Sequence, residues 1–208
     1  MIELLTANTP NGKKISIMLE EINFKYKVTK VNINKDEQFK PEFVKLSPFR
    51  KIPVIIDHEN NQSLFESGAI LMYLGEKSGK FYDHENKNII NQWLMGQMAY
   101  VGPMLGQHHQ FHHYNPGKSE FGEKRYFKIS KRIYKELDER LSVSKFLAGN
   151  EYTIADIATF PWIARHEWHD IGLKNFLNLT RWYNEISERK AVIRGYDLLK
   201  KGETIPSV

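Results

Sequence analysis

The hydrophobic period of this chain changes once, near residue 88, and that change sets what the chain can fold into. Before it, short apolar runs at residues 2–6, 26–31, 53–57 and 63–65 read as strands, while Ile15, Met18, Leu19 and Ile22 recur at helical spacing between the first two. Residues 41–46 read as a short helix. Residues 67–77 read as a longer one, with Ile70, Leu71 and Leu74 on one face. A polar turn at 59–62 joins the last two strands as a hairpin. The order β-α-β-α-β-β-α predicts a small α/β domain on a mixed sheet. After residue 88 no strand pattern remains. Ile90, Trp93, Leu94 and Gln97 keep helical spacing, as do Phe127, Ile133, Tyr134, Leu137 and Leu141, then residues 154–168 and 179–186. The expectation is an α/β domain over residues 1–80, a linker over 81–87 and an all-helical domain over 88–208. Ser78, Gly79 and the charged residues that follow mark the junction.

The 208 residues include no cysteine, which rules out a disulfide, a thiolate metal site or a redox dithiol of the protein's own. Any thiol chemistry has to use a borrowed sulfur. The net charge of +5 is spread along the chain without a run of like charges. The motifs of the common nucleic-acid modules are missing, so no nucleic-acid partner is expected. A surplus of positive charge suits a small anionic ligand. No stretch reaches the roughly 18 apolar residues of a membrane span, and the first residues lack a basic and apolar leader pattern. A cytoplasmic location without a membrane partner is the expectation.

Three short motifs fall at strand ends of the α/β domain. Thr9-Pro10-Asn11-Gly12 lies between the first strand and the first helix, where helix N-terminal amides stabilise an anion or a thiolate. The same residues also suit a plain turn with a helix cap. Arg50-Lys51-Ile52-Pro53 ends in a proline that opens a strand. That peptide bond is either cis, presenting the Ile52 backbone to an extended ligand, or trans. Glu66-Ser67 precedes a helix. It either caps that helix or grips an amino-acid zwitterion, with Ser67 and the helix N-terminus on the carboxylate and Glu66 on the ammonium. In the helical domain, Tyr152-Thr153-Ile154-Ala155-Asp156-Ile157 has the spacing of a capping box with a hydrophobic staple, so Asp156 is read as structural.

These motifs together resemble the glutathione transferase superfamily along essentially the whole chain, which implies a thioredoxin-like N-terminal domain and an all-α C-terminal domain. Thr9-Pro10-Asn11-Gly12-Lys13-Lys14, Gln38-Phe39-Lys40-Pro41-Glu42-Phe43 and Gly102-Pro103-Met104-Leu105-Gly106-Gln107 are similar to the Nu class of bacterial disulfide-bond reductases and the related domain of a fungal nitrogen-regulator prion protein. The resemblance implies that Thr9 and Asn11 lie near the glutathione sulfur. It implies that Gln38, Lys51, Ile52 and Pro53 hold the tripeptide, and that Glu66 and Ser67 take its γ-glutamyl end. It further implies that Arg132 contacts the ligand pair and that the protein is a homodimer. The tyrosine, serine or cysteine that activates the thiol in other classes has no counterpart before the first helix.

The resulting expectation is a glutathione-dependent disulfide reductase in which glutathione serves as co-substrate. A conjugating glutathione transferase and a non-catalytic glutathione-binding regulator are the alternatives. The tract Gln107-His108-His109-Gln110-Phe111-His112-His113 offers two i, i+4 histidine pairs but no carboxylate to complete a metal site, so no metal is expected. Trp93, Met95, Met98, Tyr100, Met104 and Phe111 could line a hydrophobic substrate pocket, but core or dimer packing is the more common use of such residues.

Overall fold

The first apolar run forms β1 (Ile2–Thr6), with Ile2, Leu4 and Thr6 buried and the residues between them partly exposed. It is the centre of a four-stranded sheet of order β2-β1-β3-β4, where β2 is Tyr26–Lys30, β3 is Val54–Asp57 and β4 is Gln62–Phe65. β1 runs parallel to β2, with Thr6 opposite Lys30, and antiparallel to β3, with Leu5 opposite Val54. β3 pairs antiparallel with β4, with Val54 opposite Phe65. This register brings the last residues of β1, β2 and β4 and the first of β3 to one end of the sheet. The third strand starts one residue later than its apolar run, since Pro53 has no N–H to give a ladder. The computed structural model describes Met1–Val208, divided into two compact units: Met1–Tyr82 with Arg189–Thr204, and Asp83–Glu188 with Ile205–Val208.

In the first unit, α1 (Pro10–Ile22) buries its expected stripe of Ile15, Met18, Leu19 and Ile22, and also Lys13, Lys14, Ser16 and Ile17. One amphipathic stripe does not account for burial all round. The second cover is α10 (Lys190–Asp197), which lies against the opposite face of α1. The Ser16 hydroxyl donates to the Gly195 carbonyl at 2.6 Å, and a Cβ at Gly195 would stand 2.5 Å from the Cα of Ile17. Only glycine permits that approach. Arg189 and Arg194 close the edges on Glu21 and Glu20. Each fully buried aliphatic side chain of α1 contributes about 1.5–3 kcal/mol. Helix α2 (Pro41–Leu46) buries Phe43. Helix α3 (Ser67–Ser78) buries Ile70, Leu71 and Leu74 and ends at Gly79, whose φ of 65° needs no Cβ.

The second unit is helical. Helix α4 (Lys87–Gly96) is followed by a π-helical turn, Gln97–Val101, then α5 (Gly102–His108), then a second π-helical turn, His109–Tyr114. The longest helix, α6 (Glu120–Ser142), is capped by Ser119. Helix α7 (Ile154–Ile163) is buried along nearly its whole length. It precedes the single turn α8 (His166–His169) and α9 (Leu177–Ser187), which buries Trp182 and Tyr183. The capping box read from sequence is present: the Thr153 hydroxyl accepts from the Ala155 amide and Asp156 accepts from the Thr153 amide. Tyr152 packs its ring at 5.7 Å from Phe146. No helix is long and apolar enough to cross a membrane.

Candidate functional site

Four loops leave the shared end of the sheet, and they carry the motifs singled out in the first unit. After β1 the chain turns sharply: the Thr9 amide donates to the Ala7 carbonyl at 2.8 Å, and a Cβ at Gly12 would meet that same carbonyl oxygen at 2.3 Å. Thr9 is the N-cap of α1, its hydroxyl oxygen accepting from the Gly12 amide at 3.1 Å. A hydroxyl used as an acceptor keeps its own proton to donate, so capping and thiolate binding by Thr9 are compatible. Asn11 sits in the first turn of α1, half-buried, where the helix dipole favours negative charge. The first turn contains no acidic side chain to offset that field.

The loop is held from behind by a residue that the sequence does not flag. Glu203 accepts from the Asn8 side-chain amide and from the Lys13 ammonium, both at 2.9 Å. Lys13 is wholly buried, also donates to the Tyr196 carbonyl at 2.6 Å, and lies 3.5 Å from the centre of the Tyr196 ring. Residues on both sides of Thr9 and Asn11 are thus tied to Glu203. A cavity of about 190 Å³ opens beside the loop, lined by Thr6, Ala7, Asn8, Lys30, Asn32 and Leu199 among others.

Before β3, the Ile52–Pro53 peptide bond is cis, the first of the two options left open by the sequence. The preceding loop is stapled by Ser47, whose buried hydroxyl accepts from the Lys51 amide at 3.1 Å and donates to the Lys51 carbonyl at 2.9 Å. Lys51 itself is exposed. Gln38 lies in a 3₁₀ turn, Glu37–Phe39. Its amide nitrogen reaches the Ile33 carbonyl at 3.4 Å, while its side-chain oxygen is buried without a hydrogen-bond partner, an acceptor suited to a ligand N–H.

After β4, Glu66 adopts φ 69° and ψ 114° and makes no capping hydrogen bond to α3. Ordinary capping therefore does not explain this residue, whose carboxylate stays exposed at the start of a helix. A non-glycine residue at positive φ is strained, and such strain concentrates at functional sites. Ser67 is buried, and its hydroxyl oxygen accepts from the Lys14 ammonium at 3.3 Å. Lys14 is a second residue to which the motifs assign no role. Burial pushes its ammonium down to about 7, against the opposing pull of the Glu66 carboxylate.

Arg132 belongs to the helical unit. Its guanidinium donates to the Tyr100 hydroxyl at 2.6 and 3.1 Å and lies 3.6 Å from Glu136. The structure brings no group of three or more His, Cys, Asp or Glu side chains together at the spacing of a metal site, the histidine tract of that unit included. His108 and His109 turn inward, and the rings of His108 and His112 stack 4.9 Å apart. Of the aromatic and methionine stripe, Trp93 packs under Arg140, Phe111 stacks on Tyr126, and Met95 is exposed.

Two family models match the chain: glutathione S-transferase, N-terminal domain, over residues 2–76, and glutathione S-transferase, C-terminal domain, over residues 100–190. The disulfide-bond oxidoreductase YfcG of Escherichia coli is 43% identical, over 96% of this chain and 95% of its own. A glutathione transferase from Burkholderia graminis, solved with two glutathione molecules per subunit, is 38% identical with a TM-score of 0.90, covering 97% of this chain and 89% of that one. One from Pseudomonas putida, solved with one glutathione disulfide per subunit, is 41% identical with a TM-score of 0.88, covering 97% and 92%.

Proposed function

This chain belongs to the glutathione S-transferase family, and from that premise we propose that it is a glutathione-dependent disulfide-bond reductase. The observation that carries this reading is the complete absence of cysteine in a chain whose match to a disulfide-bond oxidoreductase runs almost end to end. Both sulfurs needed to reduce a disulfide then come from glutathione. A free thiol near its reference pKa of about 8.5 is mostly protonated at neutral pH, so the protein gains by stabilising the thiolate.

In the proposed mechanism, the N-terminus of α1 with Thr9 and Asn11 holds that thiolate. The thiolate attacks one sulfur of the substrate RSSR, giving RSSG and RS⁻, which takes up a proton. A second glutathione thiolate attacks the glutathione sulfur of RSSG, giving GSSG and a second RS⁻. Two glutathiones are oxidised and one disulfide is reduced. Gln38, Ile52 and Pro53, with Lys51 at the rim, hold the tripeptide backbone. Glu66 and Ser67 take the γ-glutamyl end, and Arg132 contacts the ligand pair. Residues 1–80 are the proposed glutathione-binding domain and 88–208 the helical domain, joined by 81–87. The working form is a cytoplasmic homodimer.

The second reading, conjugation of glutathione to electrophiles, is favoured by the family name and by the relatives described as glutathione transferases. The two are separated by assaying the purified protein with a small dialkyl disulfide plus glutathione and, in parallel, with an aryl halide plus glutathione. We expect turnover of the disulfide to dominate. Losing one preorganised donor at a catalytic anion costs a few kcal/mol, so Asn11→Ala should lower disulfide turnover by about one to three orders of magnitude. Glutathione affinity should change much less. Glu66→Ala should do the opposite, with weakened binding and a rate recovered at saturating glutathione. Thr9→Ala and Asn11→Ala, singly and together, that leave turnover intact while glutathione still binds would show the thiolate site to be misplaced.

A further inference from the structure

Lys14 stands out among the buried groups because its cost is large and its place is specific. A side chain of similar length without charge would fill the interior of α1 at no electrostatic penalty, whereas a buried ammonium loses several kcal/mol of hydration that its surroundings must return. Here the return is incomplete: burial holds the group down at about 7 although the Glu66 carboxylate opposes the shift. A further negative charge arriving nearby would relieve that deficit.

The geometry says where such a charge would come. Lys14 is 1% exposed and reaches from inside the protein to the Ser67 oxygen at 3.3 Å. Ser67, 3% exposed, is the first residue of the twelve-residue helix α3, so an anion docking at that helix N-terminus would meet positive backbone amides close to the Ser67 and Lys14 pair. A serine oxygen that accepts from an ammonium becomes a stronger donor through its own O–H, because linked hydrogen bonds polarise one another. Glu66, at the start of α3, is a charged neighbour of Lys14, while Lys13, next to it on α1, is turned to Tyr196 and Glu203.

We propose that Lys14 is a positioning residue for the α-carboxylate of the γ-glutamyl residue: it orients the Ser67 hydroxyl from behind and supplies the positive charge that this carboxylate meets. The inference rests on the glutathione reading above and extends it to a residue that does not touch the ligand.

The test compares two ligands, S-methylglutathione and the same tripeptide with 4-aminobutyrate in place of the γ-glutamyl residue, which lacks only that carboxylate. Binding is measured by calorimetry to wild type, Lys14→Met and Lys14→Arg. Wild type should prefer S-methylglutathione by about tenfold or more. Lys14→Met should lose that preference while binding the decarboxylated tripeptide as wild type does, and Lys14→Arg should recover part of it. In wild type, independent of any variant, the Lys14 ¹⁵Nζ resonance should titrate at higher pH when saturated with S-methylglutathione but not with the decarboxylated tripeptide. Wild type that binds neither tripeptide overturns the glutathione reading and this one with it. Wild type that binds glutathione but shows no preference, a Lys14→Met that keeps the preference, or a resonance that responds alike to both ligands overturns the role of Lys14 alone.

Discussion

Asp156 shows how far a single residue can be read from its neighbours in sequence. The spacing Thr153-x-x-Asp156 was enough to identify the capping box, and its bonds are present. Spacing could not reveal that the same carboxylate also accepts from the Leu147 amide at 2.9 Å and the Trp182 indole at 2.8 Å, donors brought in by the tertiary fold. Removing it strands buried donors on two elements, so Asp156→Ala should lose about 3 kcal/mol or more of unfolding free energy, measured by urea titration. Glutathione turnover per folded molecule should be preserved. A loss below about 1 kcal/mol, the value for a lone helix cap, would mean the extra donors contribute nothing. Thr9 was legible as a helix cap for a different reason: helix starts have residue signatures. Lys14 and Glu203 were not, because a buried lysine or a clasping glutamate looks in sequence like any surface charge.

At the scale of elements, the second π-helical turn and α8 build a buried chain of polar rings. The Tyr134 hydroxyl lies 2.5 Å from His169 Nδ1, and His169 Nε2 lies 2.8 Å from His109 Nε2. One consistent proton arrangement has both imidazoles neutral, with His169 donating to His109. Burial drives both in that direction, His109 to about 3 and His169 well below its ordinary value. In the unfolded chain both would protonate near 6.5. Their stabilising effect is therefore complete above pH 6.5 and is lost as pH falls toward the folded values. At pH 5 each should cost on the order of 2 kcal/mol relative to pH 7.5. His109→Gln, which keeps an acceptor for His169, should remove about half of that acid sensitivity in unfolding titrations. A pH dependence identical to wild type would exclude His109 as its source. The sequence showed the histidine spacing but not this partnership, since His169 is sixty residues away and the backbone from His109 to Tyr114 is not α-helical.

At the scale of the whole molecule, the change of period at residue 88 was the most informative feature, because α/β and all-helical patterns need only local periodicity to be told apart. Quaternary structure is a separate matter. Sedimentation at micromolar concentration should give twice the 24.5 kDa of one chain, and a species that stays at 24.5 kDa would reject the homodimer. The segment Arg189–Thr204 was invisible to pattern reading, since what it covers, the outer face of α1, lies at the other end of the chain. That separation matters for biogenesis. A ribosome adding roughly 5–20 residues per second delivers α10 more than a hundred residues after Tyr82. For on the order of five to twenty seconds the nascent sheet domain presents Ile17 and the close-packing groove of α1 without their cover. It is then a partner-seeking surface in a crowded cell, and the clasp that completes it is made more than a hundred residues after the surface it covers.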